Sequence, residues 1–402
     1  MVAINRFKAL GLRALVALFI CASSLFATDA KAENYVTAQG YTHSFNNGVD
    51  VYTAVFALNK EFSLQTSSYI KYNVDFINPK WGGSEDGGGD GDAVNRGATH
   101  ATTGASSAVS SDGSQGTDTR HAVTAGVTHN FNNIIGAEVY YDYSRENDYV
   151  SHTPTLTIKK ELNDKNTTLT AGYSRNMDTV HGKFMTTAEE RNTDNFYVGV
   201  TQLLSPVTVA QAGYSRSQSS GMESEGIRLI PVGGVAASTC TAVSATCLTE
   251  AFPDKRNRNA FLAGVNHYIL GMGFLNKSVV KLNLRYYTDD WKIKSYTGDT
   301  EWNKYLSERT VLRLNYRYYT QSQAYFQKDD YTAADTLRSA SSQLKKFNSH
   351  LAGIKLTYAL KDNVPALISF LKQGAIEGKY EFYHQSLGVN AHIMMAGLRV
   401  PF

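Results

Sequence analysis

The chain has 402 residues, a formal charge of +3 and 19% charged residues. A balance so close to zero, with no basic stripe, excludes a nucleic-acid binder. The 25 Tyr and 32 Gly against 7 Pro suit a β-barrel between lipid and water better than a large soluble enzyme.

Residues 1–32 read as a cleaved secretory signal. Arg6, Lys8 and Arg13 make a basic start. Ala14 to Phe26 is an apolar run too short to span comfortably as a helix. Ala30-Lys31-Ala32 has the form of a cleavage site, so the mature barrel is expected over 33–402, beginning at Glu33. Lipidation at Cys21 is disfavoured, because Ile20 stands where a small residue is needed. After Glu33 no run approaches the ~20 apolar residues of a membrane helix, so spanning falls to strands.

Period-two alternation then predicts the strands in turn. Tyr35 to Ser44 is the first, turned by Asn46-Asn47-Gly48. Val51 to Leu58 follows, then Ser67 to Ile77, with Ile70, Tyr72, Val74 and Phe76 on one face and Lys71, Asn73 and Asp75 on the other. After a long Gly/Ser/Asp-rich loop, 78–119, come Arg120 to Phe131 and Ile134 to Arg145. The latter puts Val139, Tyr141 and Tyr143 outward and Glu138, Tyr140 and Asp142 inward. Thr153 to Glu161, Thr167 to Asn176, Asn195 to Leu204 and Val207 to Ser217 are next. A second long loop, 218–258, holds Cys240 and Cys247 with six residues between them, and an oxidising compartment makes a local disulfide the expected pairing.

Asn259 to Leu270 and Ser278 to Asp289 continue the pattern, the latter setting Val280, Leu282, Leu284 and Tyr286 against Lys281, Asn283, Arg285 and Tyr287. Tyr296 to Leu306 alternates poorly. Thr310 to Gln321 sets Leu312, Leu314, Tyr316 and Tyr318 against Arg313, Asn315 and Arg317. Ser349 to Leu360, Ala375 to His384 and Val389 to Phe402 complete the set, with Pro365 to Gln373 as a short interfacial helix.

These are sixteen strands. Connections after odd strands are mostly long and those after even strands mostly short, which is the outer-membrane arrangement. The expected fold is a 16-stranded antiparallel transmembrane β-barrel with long extracellular loops and short periplasmic turns. Its last strand closes on the first, and the terminal Phe402 reads as an assembly signal for the barrel-assembly machinery. Ala171-Gly172-Tyr173-Ser174-Arg175 recurs as Ala212-Gly213-Tyr214-Ser215-Arg216, and Arg285-Tyr286-Tyr287-Thr288 as Arg317-Tyr318-Tyr319-Thr320. Tyr at one height on odd strands reads as an aromatic girdle.

Three stretches carry a family resemblance. They are Glu146-Asn147-Asp148-Tyr149 with Ser151, Asn163-Asp164-Lys165-Asn166-Thr167-Thr168, and Arg285-Tyr286-Tyr287-Thr288-Asp289-Asp290-Trp291 with Ser295. Together they resemble the domain-of-unknown-function 3570 family of bacterial outer-membrane barrels. The resemblance implies the barrel and its location and brings no activity. The two long loops depart from the family pattern, so no loop-borne function is carried over.

Lumen faces are the first candidate site. Lys281, Arg285, Arg313, Arg317 and Lys355 point inward on one side, and Asp75, Glu138 and Asp142 on another. Such a lumen steers charged or dipolar solutes; a salt-bridge network that only braces the wall is the competing reading. Glu377, Lys379 and Glu381 read as a local charge ladder. Asp86, Asp90 and Asp92, alternating with Gly, offer hard oxygens that calcium accepts, but the spacing misses the EF-hand pattern and a solvated loop is preferred. No other cofactor is expected. No Gly-x-Ser-x-Gly or His-Glu-x-x-His motif occurs, which leaves an outer-membrane hydrolase as a third reading behind a pore and a structural sleeve for a secretion or electron-transfer complex. Outer-membrane lipid is the expected partner, a homo-oligomer or periplasmic partner stays open, and nucleic acid is excluded.

Overall fold

The computed structural model describes residues 34–46, 48–79, 118–132, 134–235, 240, 244–271, 273–360 and 371–402. The signal segment 1–32, Glu33, Cys21, the calcium candidates Asp86, Asp90 and Asp92, and most of the 78–119 loop and of the 365–373 helix lie outside them.

Sixteen strands close into one antiparallel barrel. In chain order they are β1 (Tyr35–Phe45), β2 (Val49–Ser63), β3 (Thr66–Pro79), β4 (Asp118–Asn132), β5 (Ile135–Arg145), β6 (Tyr149–Leu162), β7 (Thr167–Val180), β8 (Glu189–Ser205), β9 (Thr208–Gly221), β12 (Lys255–Ile269), β13 (Ser278–Asp289), β14 (Lys294–Tyr305), β15 (Thr310–Gln321), β16 (Phe347–Ala359), β17 (Ala375–Gln385) and β18 (Asn390–Pro401). Two short strands, β10 (Leu229–Pro231) and β11 (Cys247–Thr249), pair with each other outside the barrel. The seam joins β18 to β1, with Tyr35 opposite Pro401 and Phe45 opposite Ala391. Beyond it the Phe402 N–H donates to the Asn34 carbonyl at 3.1 Å.

Among the described residues, tight turns make most of the connections at one rim. Between β6 and β7 the chain reverses through Asn163, Asp164 and Lys165, all in the left-handed region that Asn and Asp tolerate. Several strands run further toward the opposite, long-loop rim than alternation predicts. β6 starts at Tyr149 rather than Thr153, and β8 at Glu189 rather than Asn195. These extensions carry mostly polar side chains, so alternation does not reveal them. Ladder hydrogen bonds join backbone groups and need no apolar side chain.

The outer face is apolar. Leu284 is 65% exposed, Val139 56% and Val198 54%, alongside Leu282, Ile354, Leu356 and Phe261. A continuous apolar band on a closed barrel suits hydrocarbon, and closure leaves no strand edge unpaired within it. The protein is an outer-membrane β-barrel.

Inside, Phe45, Val49, Val51, Ile77, Val389 and Ala391 form a buried cluster on the β18–β1–β2–β3 wall, with Tyr383 packed against it. At the long-loop rim the connections 222–254 and 322–346 dock on each other. Isolated bridges join Val232 to Tyr331 and Ala251 to Arg338. Trp291, Ile293, Ala324, Phe326 and Leu344 make one buried core there, and Ile230, Val232 and Tyr331 another. A disulfide joins Cys240 to Cys247, the first residue of β11. This assembly is a small folded cap.

Candidate functional site: the lumen wall

The inward residues follow from the outward ones. Leu282, Leu284 and Tyr286 take the lipid face of β13, so Lys281, Asn283, Arg285 and Tyr287 take the lumen. On β15 the same alternation turns Arg313, Asn315, Arg317 and Tyr319 inward. Between these strands β14 presents Asp299 and Glu301, and register sets Lys281 directly opposite Glu301 and Arg317 directly opposite Asp299.

Charges therefore meet across neighbouring strands. Lys281 Nζ lies 2.8 Å from Glu301 Oε1, and Arg313 Nε 3.4 Å from Glu301 Oε2. Arg313 Nε also donates to Asn303 Oδ1 at 3.1 Å. Arg317 Nε lies 2.5 Å from Asp299 Oδ1. Further round, Lys355 meets Glu377 and Lys379 meets Glu381, each at 2.8 Å, while Asn315 donates to Glu381 at 3.1 Å. Arg285 differs. Among the described residues no carboxylate lies within ion-pair distance of it, and its guanidinium rests over the Tyr287 ring, 5.2 Å from the centroid.

Most of these side chains, though not Lys355, Glu377 or Asn303, border a cavity of about 1100 Å³ inside the barrel. Its cations Arg256, Lys281, Arg285, Arg313, Arg317 and Lys379 outnumber its carboxylates Asp299, Glu301 and Glu381. Hydroxyls of Tyr197, Tyr287, Tyr319 and Tyr383 and the amides of Gln211 and Asn283 complete a polar lining. Tyr197 can lie along the wall because its neighbours lack side chains: a Cβ at Gly213 would sit 2.9 Å from its hydroxyl. The cap reaches the same space through Gln343 and Leu344, with Ile293 from the β13–β14 turn. The arrangement can hold small polar or charged solutes. Among the described residues its lining holds no histidine or cysteine.

The remaining predicted residues lie elsewhere on the wall. Lys355 pairs outside the cavity lining. Asp75 takes Arg120 at 3.3 Å and the Thr53 hydroxyl at 2.5 Å. Glu138 pairs with Lys159, and Asp142 accepts from Thr124 at 2.5 Å. The lumen thus brings Lys281, Arg285, Arg313 and Arg317 together and keeps Asp75, Glu138 and Asp142 apart from them. Near the long-loop rim Asp118, Glu146 and Asp148 place one carboxylate oxygen each within 4.8 Å of the others. Arg120 lies 3.6 Å from Glu146 and already supplies positive charge there.

Sequence reasoning missed Asp299 and Glu301, the carboxylates that the basic residues use. The signal was faint, because Gly298 and Thr300 dilute the lipid face of β14 and hide its alternation. Arg256 was missed as well, since it stands in an extension of β12 that reads as loop; it bonds Asp289 at 2.6 Å.

A family described as a protein of unknown function (DUF3570) matches residues 14–186 and 182–398. No protein with a curated description matches the chain in sequence. Among solved structures, a bacterial polysaccharide outer membrane secretin aligns over 93% of this chain and 100% of its own, at 9% identity and TM-score 0.48. OpdK of Pseudomonas aeruginosa, solved with vanillate, aligns over 92% and 98%, at 7% identity and TM-score 0.42. A BenF-like porin from Pseudomonas fluorescens aligns over 92% and 99%, at 8% identity and TM-score 0.43. Likenesses this distant transfer no function.

Proposed function

The chain belongs to the DUF3570 family, which is of unknown function, and from its own geometry we propose a passive conduit for small polar or charged solutes across the outer membrane. The observation that supports this is the charge- and hydroxyl-lined cavity of about 1100 Å³ within the barrel wall. Sixteen strands are enough to enclose an aqueous channel. Ion pairs at the wall keep the lining hydrated, and the excess of cations favours anions in transit. The role is non-enzymatic: the barrel orients and admits, and no bond of the solute changes.

Refolded full-length protein in planar bilayers should give discrete open-channel currents. A barrel shown to be folded that carries none would sink the conduit. The second reading, a sleeve or scaffold for a partner complex, draws on the cap, whose Gln343 and Leu344 stand at the cavity. It predicts a silent barrel that binds a second protein.

A further inference from the structure

A repeated polar pair runs around the lipid face below the long-loop rim. The Tyr72 hydroxyl lies 2.7 Å from His121 Nδ1, Tyr141 2.6 Å from His152, Tyr316 2.7 Å from His350 and Tyr380 2.8 Å from His392. The geometry repeats each time. The tyrosine sits on a strand running toward the long-loop rim, and its partner sits on the next strand, two residues nearer the rim than the residue directly opposite. Tyr316, for example, faces Ala352, while its partner is His350. The same diagonal joins Tyr173 to Asp194 at 2.6 Å and Tyr214 to Asn259 at 2.7 Å.

At Asp194 and Asn259 the acceptor is an oxygen, so the tyrosine hydroxyl is the donor. The same donation to Nδ1 of a neutral imidazole leaves its proton on Nε2. Among the described residues no protein group accepts from that side of the four histidines. Arg145 stands directly opposite His121, and Arg216 directly opposite Asn259. Both arginines are exposed, and neither has a carboxylate partner among the described residues. Arg175, in the same belt, is 3.6 Å from Asp194 and spends its charge there.

A lipid-facing belt of unmet N–H donors and unpaired guanidinium groups is costly against hydrocarbon and complementary to anionic headgroups. Guanidinium matches phosphate oxygens two at a time. We propose that this belt binds the phosphates of anionic lipids in the leaflet at the long-loop rim, as a specific lipid-recognition surface separate from the lumen.

The test uses the folded full-length protein reconstituted in phosphatidylcholine vesicles containing phosphatidylglycerol, then extracted in detergent for native mass spectrometry. Heat-modifiable gel migration reports folding. Phosphatidylglycerol should be retained over phosphatidylcholine, and Arg145→Gln and Arg216→Gln should each lower retention about fivefold. His121→Phe with His350→Phe, which keep the rings and remove the donors, should lower it further. A folded Arg145→Gln/Arg216→Gln protein that retains phosphatidylglycerol as the parent does would overturn the proposal. So would equal retention of the two phospholipids by the unaltered protein. Oleate in place of phosphatidylglycerol needs no variant, and its equal retention would replace phosphate recognition by general attraction to negative charge.

Discussion

In the cap, Arg228 and Glu250 meet at 3.0 Å with their side chains 6% and 0% exposed; on the lumen wall, Arg317 and Asp299 meet at 2.5 Å with the arginine 56% exposed. The chemistry is the same and the surroundings differ. Glu250 also accepts from the Ser339 hydroxyl at 2.7 Å and the Ala340 N–H at 3.1 Å, so one buried carboxylate ties 222–254 to 322–346. Around Arg228 little water remains to take over if a partner is lost. Around Arg317 lumen water does so at once, and the pair contributes little to stability. Buried pairs therefore hold the cap in one arrangement, while the more exposed lumen pairs contribute little to holding the wall.

Three changes would break or sharpen that contrast. The largest effect is expected from Arg228→Leu, which strands Glu250 and takes Glu225 from its 3.0 Å partner. Losing one member of a buried pair costs about 3–5 kcal/mol. Hydrogen exchange should rise across both cap connections while the barrel strands stay protected; an unchanged cap would show that its apolar cores suffice alone.

The second change is Arg313→Glu with Arg317→Glu. Stability should move by no more than about 1 kcal/mol per exposed pair. The reversal potential in a salt gradient should shift toward cations, because two cations facing the cavity become carboxylates beside Asp299 and Glu301. Unaltered selectivity through an open channel would remove both arginines from the solute path.

The smallest effect concerns Asp335, on the cap surface. The bond from Lys328, followed by the Thr332 N–H and hydroxyl, lowers its carboxyl from 3.8 to about 2. A depressed folded value means the contact contributes fully above the unfolded pKa and fades as pH falls toward 2. A spin label at Thr336 should keep constant mobility from neutral pH to about 4, near the unfolded carboxyl value, and loosen slightly below that. Loosening near pH 6 would implicate another group.

Much of the wall was legible in the residues. All sixteen strands lie where alternation predicts, and β13 and β15 match their expected limits at both ends. Lys281, Arg285, Arg313 and Arg317 face the lumen because their neighbours Leu282, Leu284, Leu314 and Tyr316 face lipid. The extensions of β6, β8 and β12 were not legible, because so few apolar side chains leave no period to detect. Nor was the cap, whose halves 222–254 and 322–346 each read only as loop, while Ile230, Val232 and Tyr331 find a common core only when docked.

By itself the sequence determined the number of barrel strands and, where alternation is clean, the inward or outward sense of their side chains. These depend on neighbours one or two residues away, and a strand shows them locally. Tertiary structure decided the partners. Asp299 meets Arg317, Tyr316 meets His350 and Glu250 meets Ser339 because hairpin register and loop docking bring together residues distant in the chain. A two-residue shift in any hairpin would keep every side chain on its face and change every pair, and no local pattern records that choice.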